Sequence, residues 1–342
     1  MSGNNWRAIA WLVGGFAAAL LCADLLMGTV YSAQPKRQAR DGIQELSRTP
    51  NILAVSSSHG RSFHVLGQVL NEQTMGVSDL IAVPLEAGKV HAMEWLLHHR
   101  IKPLILDENQ QIRKPLSHMM FGITWWDTCR VDEPVETAHN IVTHGWTVSD
   151  YARDVAAVGA TELNRNYVRN LWRHLFGNSA LVTTRFAVSE NFSRFTNFLR
   201  VMVLGYLPEN EYQQTLERWH NDIDHGHECF LSAMDMQAMD RFVEFTKQHQ
   251  LDLTIVLFPL KPDTITETGL KDTIQPFARH MLAYGESNQV RVVDMTLGLL
   301  EDTDFMLDLD HVNAEGNVKW AEYALNNDFA FLRNMVTAGD TQ

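Results

Sequence analysis

The chain has 342 residues, 45% of them hydrophobic and 20% charged, with a formal net charge of −13 at pH 7. That hydrophobic share excludes an intrinsically disordered chain and leaves room for one large or two ordinary domains. The acidic balance argues against nonspecific binding to nucleic acid or to an anionic membrane surface, and no basic stripe or Gly-x-x-x-x-Gly-Lys phosphate loop is present.

Residues 8–33 read AIAWLVGGFAAALLCADLLMGTVYSA. About 20 apolar residues suffice to cross a bilayer, so this run is expected to be a transmembrane anchor. Asp24 lies toward its far end, where a charge reaches the interface rather than the hydrocarbon centre. A cleaved signal peptide is the alternative, though the apolar run is long for one and Tyr31-Ser32-Ala33 is a poor small-x-small cleavage site. A buried helix is the third reading, and bulky Leu21 opposes a lipid anchor on Cys22. Arg7 precedes the segment and Lys36, Arg37 and Arg40 follow it, so charge bias alone places the body on the cytoplasmic side. The other two cysteines, Cys129 and Cys229, form no Cys-x-x-Cys pair. A disulfide between them in an oxidising compartment and two free buried thiols both stay open.

A polar stretch from Gln34 to Pro50 suits a linker with a short helix. Ile52 to Val55 is expected as a first strand, ending in Ser56-Ser57-Ser58-His59-Gly60, a turn. Helical spacing of Phe63, Leu66, Val69 and Leu70 follows, then a second strand over Leu80 to Val83, a helix over Val90 to His99 and a third strand over Lys102 to Leu106. The pattern resumes with a helix over Met234 to His249, a strand over Leu253 to Phe258, a helix over Ile274 to Tyr284 and a strand over Val290 to Val293. Alternation of this kind predicts an α/β fold, a parallel sheet with crossover helices in three layers. Domain organisation then reads as 1–33 anchor or signal, 34–48 linker, 49–113 first part of the sheet domain, 114–230 a mainly helical insertion, and 231–342 the second part.

Within the insertion, Trp125-Trp126 could stack on a sugar face, although paired tryptophans more often serve a core or interface. Asp222, Asp224, His225, His227 and Glu228 are potential metal ligands, but a solvated polar loop explains them better, and no metal or organic cofactor is expected. His59 is expected to face solvent.

Two segments carry the chemistry. Ser58 ends the first strand on a tight turn, where a hydroxyl is exposed and stiffly held. Leu307-Asp308-Leu309-Asp310-His311-Val312-Asn313 puts an acid three residues before a histidine. Nucleophile, base and carboxylate are what acyl transfer needs. Taken singly, each block has a structural reading: serine after a strand bonds nearby backbone, and Asn313 caps the following helix. Asp310 is the rival acid, but next to His311 its side chain tends to point elsewhere.

These blocks resemble the SGNH (GDSL-like) hydrolase and acyltransferase superfamily over residues 49–110 and 250–330. Ser56-Ser57-Ser58 lies where that family has Gly-Asp-Ser, and Asp308-x-x-His311 lies where it has its Asp-x-x-His. The resemblance implies Ser58 as nucleophile, His311 as base and Asp308 as acid. It implies a glycine amide and an asparagine side chain as oxyanion donors, for which Gly76 and Asn109 are the candidates. It also implies an SGNH/flavodoxin-like three-layer domain and a membrane-tethered esterase or O-acyltransferase with its body outside the cytoplasm. Its partners would be an acyl donor, an envelope or exported polysaccharide as acceptor, and a membrane-bound acyl-transfer protein. The alternative is a non-catalytic SGNH-like subunit of a glycan modification or export complex.

Overall fold

The computed structural model describes residues 14–15, 34–85, 89–128, 233–267, 269–306 and 311–334. Five strands, β1 (Ile52–Ser57), β2 (Leu80–Leu85), β3 (His118–Ile123), β4 (Asp252–Leu257) and β5 (Arg291–Asp294), form one sheet in the order β2-β1-β3-β4-β5. Every pairing is parallel, with Ile52 opposite Leu80 on one side and His118 on the other. All residues of β1, β2 and β3 are buried, as expected when helices cover both faces of a parallel sheet.

Side chains alternate between the two faces. Leu53, Val55, Ile81, Val83, Phe121 and Ile255 point to one layer. Helices α1 (Gln34–Glu45), α3 (Val90–Leu96), α5 (Ala233–Gln248), α6 (Pro262–Glu267) and α7 (Lys271–Asn288) contribute to it. Ile52, Ala54, Ala82, Met120 and Val256 point to the other, where α2 (Ser62–Gln73), α8 (Ala314–Asn326) and α9 (Ala330–Asn334) pack. The fold is therefore α/β with three layers, as the alternating pattern predicts.

One strand expectation is overturned. Lys102 to Leu106 is not the third strand: Lys102–Ile105 is helix α4, reached from α3 through a π-type turn, Leu97–Ile101. Pro103 explains the outcome, because it has no N–H for an interior ladder and is well tolerated in a first helical turn. The true third strand, His118–Ile123, lies in the stretch expected to open the insertion. Its sequence HMMFGI holds one β-branched residue, and burial on both faces removes the alternation that marks a strand.

The expected anchor at 8–33 falls outside the described residues except for Gly14 and Gly15. Among the described residues no helix is long and apolar enough to cross a membrane. Cys22, Cys129, Cys229 and the acidic and histidine cluster at 222–228 also fall outside them.

His118 opens β3 at 3% exposure, its Nε2 3.1 Å from Thr254 Oγ1. Burial, with help from the Arg291 charge, pushes its pKa down from 6.5 to about 4. The unfolded chain thus binds the extra proton first. Stability from this group is complete above pH 6.5 and is lost as pH falls toward 4, an effect of about 3 kcal/mol. Urea unfolding at pH 7 and pH 4.5 is expected to show His118→Gln losing less stability over that interval than the native chain. Equal losses would show that His118 does not drive the acid limb.

Candidate active site

Ser58 lies immediately past the carboxyl end of β1, as the first residue of a 3₁₀ turn, Ser58–Arg61, that runs directly into α2. The turn has no room for a larger residue at Gly60: a Cβ there would land on the Cβ and Oγ of Ser56. Ser62 Oγ lies 3.3 Å from the His59 carbonyl, where the turn runs into the first turn of α2. Ser58 keeps partial exposure while its strand neighbours Ser56 and Ser57 are buried.

His311 arrives from the other end of the chain. Its loop is pinned at both sides of residues 307–310: Phe305 pairs antiparallel with Val312, and the Met306 amide donates to the His311 carbonyl at 2.7 Å. Asn313 caps α8 by accepting from the Gly316 amide at 3.0 Å, while its Nδ2 donates to the Thr303 carbonyl at 2.7 Å. A second tie joins the two motifs. Ser62 Oγ on α2 donates to Asn317 Oδ1 on α8, and Asn317 Nδ2 donates to the Val312 carbonyl at 3.1 Å. The result places His311 Nε2 at 2.9 Å from Ser58 Oγ. A histidine nitrogen at that distance can take the hydroxyl proton as the oxygen attacks.

A second polar chain lies beside the first. The order of the sheet puts β1 next to β3, with the chain leaving β1 toward β2 and leaving β3 toward β4. Such a reversal opens a crevice at the carboxyl ends of the strands, the usual ligand position in open α/β sheets. Asp127, in the 3₁₀ turn Trp125–Thr128 after β3, fills its floor at 2% exposure. Its Oδ2 accepts from the Thr124 amide at 2.7 Å, from Thr124 Oγ1 at 3.1 Å and from Ser57 Oγ at 2.8 Å. Burial pushes the Asp127 carboxyl above the usual carboxylate range, against the opposing pull of His59, the Thr124 amide, Lys89 and the Ser57 hydroxyl. Ser57 Oγ also lies 3.2 Å from His59 Nδ1, and the His59 ring stacks on the His311 ring, centroids 4.7 Å apart and planes within 4°.

Ser58 and His311 thus converge. Asp308 and its rival Asp310 lie outside the described residues. The two proposed oxyanion donors do not converge. Gly76 sits between α2 and β2, at the amino edge of the sheet, and its amide already donates to the Asn71 carbonyl at 2.9 Å. Asn109 occupies an exposed turn between α4 and β3, also at the amino edge, with its amide on Asp107 Oδ1 at 2.8 Å. In a parallel sheet, residues that precede a strand stand a full strand length from the edge where Ser58 lies.

His59, expected in solvent, is 9% exposed and packed on His311. Trp125 is buried, and the ring of half-buried Trp126 is occupied by Lys89, whose Nζ lies 4.4 Å from its centroid and donates to the Trp126 carbonyl at 2.6 Å. Neither indole therefore offers a bare sugar platform in this structure. Sequence reasoning missed Ser57, His59 and Asp127. The available signal was an acid just after a strand adjacent to β1. Among the described residues no cluster of three metal-ligating side chains occurs.

No family model and no curated protein sequence matches the chain. A solved structure of a proposed acylhydrolase from Bacteroides fragilis is similar at 9% sequence identity and a TM-score of 0.39, covering 88% of this chain and 99% of that one. That likeness is too distant to bear on function.

Proposed function

We propose that the chain is a serine esterase or O-acyltransferase in which Ser58 is the nucleophile and His311 the general base. The observation that supports this most is the 2.9 Å approach of His311 Nε2 to Ser58 Oγ between segments 253 residues apart. In this reading Ser58 Oγ bonds to the acyl carbonyl carbon as its proton passes to His311 Nε2. The carbon–oxygen bond to the leaving alcohol breaks, and that alcohol departs with the proton. Water or an acceptor hydroxyl then gives its proton to His311 as its oxygen bonds to the acyl carbon; the acyl carbon–Ser58 Oγ bond breaks, and His311 returns the proton to Oγ, which restores the Ser58 hydroxyl. Asp308 orients the imidazole, on the resemblance of Asp308-x-x-His311 to the SGNH pattern.

An envelope or exported polysaccharide as acceptor and tethering through residues 8–33 belong to the same proposal. The long apolar run and the resemblance to membrane-tethered SGNH proteins support them. A body outside the cytoplasm rests on the resemblance alone, against the local charge bias. A non-catalytic SGNH-like subunit is the second reading, favoured by one observation: neither Gly76 nor Asn109 reaches the Ser58 edge.

A fluorophosphonate separates the two. The full-length chain is expected to be labelled covalently on Ser58, with phosphorus bonding to Oγ and fluoride leaving, and peptide mass spectrometry locates the adduct. An unlabelled folded protein would favour the non-catalytic subunit.

A further inference from the structure

The Asp127–Ser57–His59 chain has no part in the reaction just described, yet it ends against the base. We propose that His59 is a positioning residue: Asp127 and Ser57 key its ring so that it forms a flat rest for His311. The inference deepens the esterase reading and rests on it.

The hydrogen bonds decide which way His59 is held. Asp127 Oδ2 accepts three donors, so a proton on that carboxyl could sit only on Oδ1. Ser57 has one hydroxyl proton, and it is committed to Asp127. Ser57 Oγ is left as an acceptor, which makes His59 Nδ1 the donor across the 3.2 Å contact. The key works whether or not Asp127 is ionised. It fixes both the plane of the ring and its rotation about the side-chain axis.

Stacking passes that order to His311. Rings parallel within 4° at 4.7 Å leave His311 little freedom to tilt without losing the contact. A tilt would move Nε2 off Ser58 Oγ, where small misplacements of a reacting group are costly. Asp127 and Lys89 are charged groups on the His59 side of this stack, and Arg61 belongs to the same turn as His59.

The test is the fluorophosphonate reaction of the full-length chain, separated into reagent affinity and the first-order step. His59→Ala is expected to slow the first-order step about 10-fold or more, in line with the cost of misplacing a catalytic group, with affinity unchanged. His59→Phe keeps a flat ring and is expected to recover most of the rate, and Ser57→Ala, which removes the key, to fall between them. Alanine as fast as the native chain would overturn the proposal. So would phenylalanine as slow as alanine, because the imidazole rather than a flat ring would then be required. If the native chain is not labelled at all, the esterase reading fails separately. Crystal structures then judge the inference: the Ser58–His311 contact is expected to open in His59→Ala and to persist in His59→Phe, and an unmoved contact in His59→Ala would overturn it.

Discussion

Replacing His311 with alanine is expected to lower the rate of Ser58 acylation by about 10⁴-fold or more, and Ser58→Ala to abolish it, with neither change unfolding the chain. Both side chains are partly exposed and stand at loop and turn positions, so truncation opens no large core cavity. The double variant is expected to be no worse than the worse single one, since the hydroxyl and its base act as one unit. Asp308→Asn is expected to be severely impaired and Asp310→Asn milder, if Asp308 is the acid. Turnover of an activated ester, with circular dichroism as the folding control, measures all of these. A His311→Ala chain within tenfold of the native rate would remove the base assignment.

The largest stability loss is expected from Trp320→Ala. Trp320 is fully buried in α8, with Phe63, Phe258 and Phe329 around it at centroid distances of 5.9, 5.8 and 6.1 Å. Emptying that site costs about 3–5 kcal/mol, from lost burial plus the cavity that the three rings cannot close. Trp320→Phe is expected to cost about 1.5 kcal/mol or less: it keeps the aromatic contacts and removes an indole N–H that has no hydrogen-bond partner among the described residues. Urea midpoints read both changes, and a Trp320→Ala loss below about 1 kcal/mol would show that α8 is not held by this contact. Trp320 stands on the helix that follows the His311 loop, so the alanine variant is also expected to lose activity in urea before the native chain does.

Much of this architecture is legible in the sequence. The runs at Ile52 and Leu253 are apolar, rich in β-branched residues and closed by turn residues, and both are strands. β3 is not legible, because methionine and phenylalanine fill helices and buried strands alike and the helix–strand choice falls to tertiary context. Ser58 and His311 are legible because each carries its chemistry within a short segment. The placement of Gly76 is legible too: with Leu80 to Val83 as a parallel strand, a residue just before it belongs to the opposite edge from Ser58. The placement of Asn109 is not, because Lys102–Ile105 is a helix rather than a strand. His59 and Asp127 have no local signature. Their roles come from a ring stack and a hydroxyl bridge that join turns after two different strands, and single-sequence patterns do not encode such proximity.

The separation of 253 positions between Ser58 and His311 imposes an order on assembly. The β1 turn and its helix are local structures, able to form early. His311 reaches Ser58 only once β4 and β5 have joined the sheet and the last long helix has docked through Ser62 and Asn317. Loop closure over such a separation is entropically costly and follows the nearer contacts. On the proposed esterase reading, a chain still emerging, or one whose C-terminal helix has peeled away, carries its serine unarmed, and reactivity is confined to molecules that have finished folding.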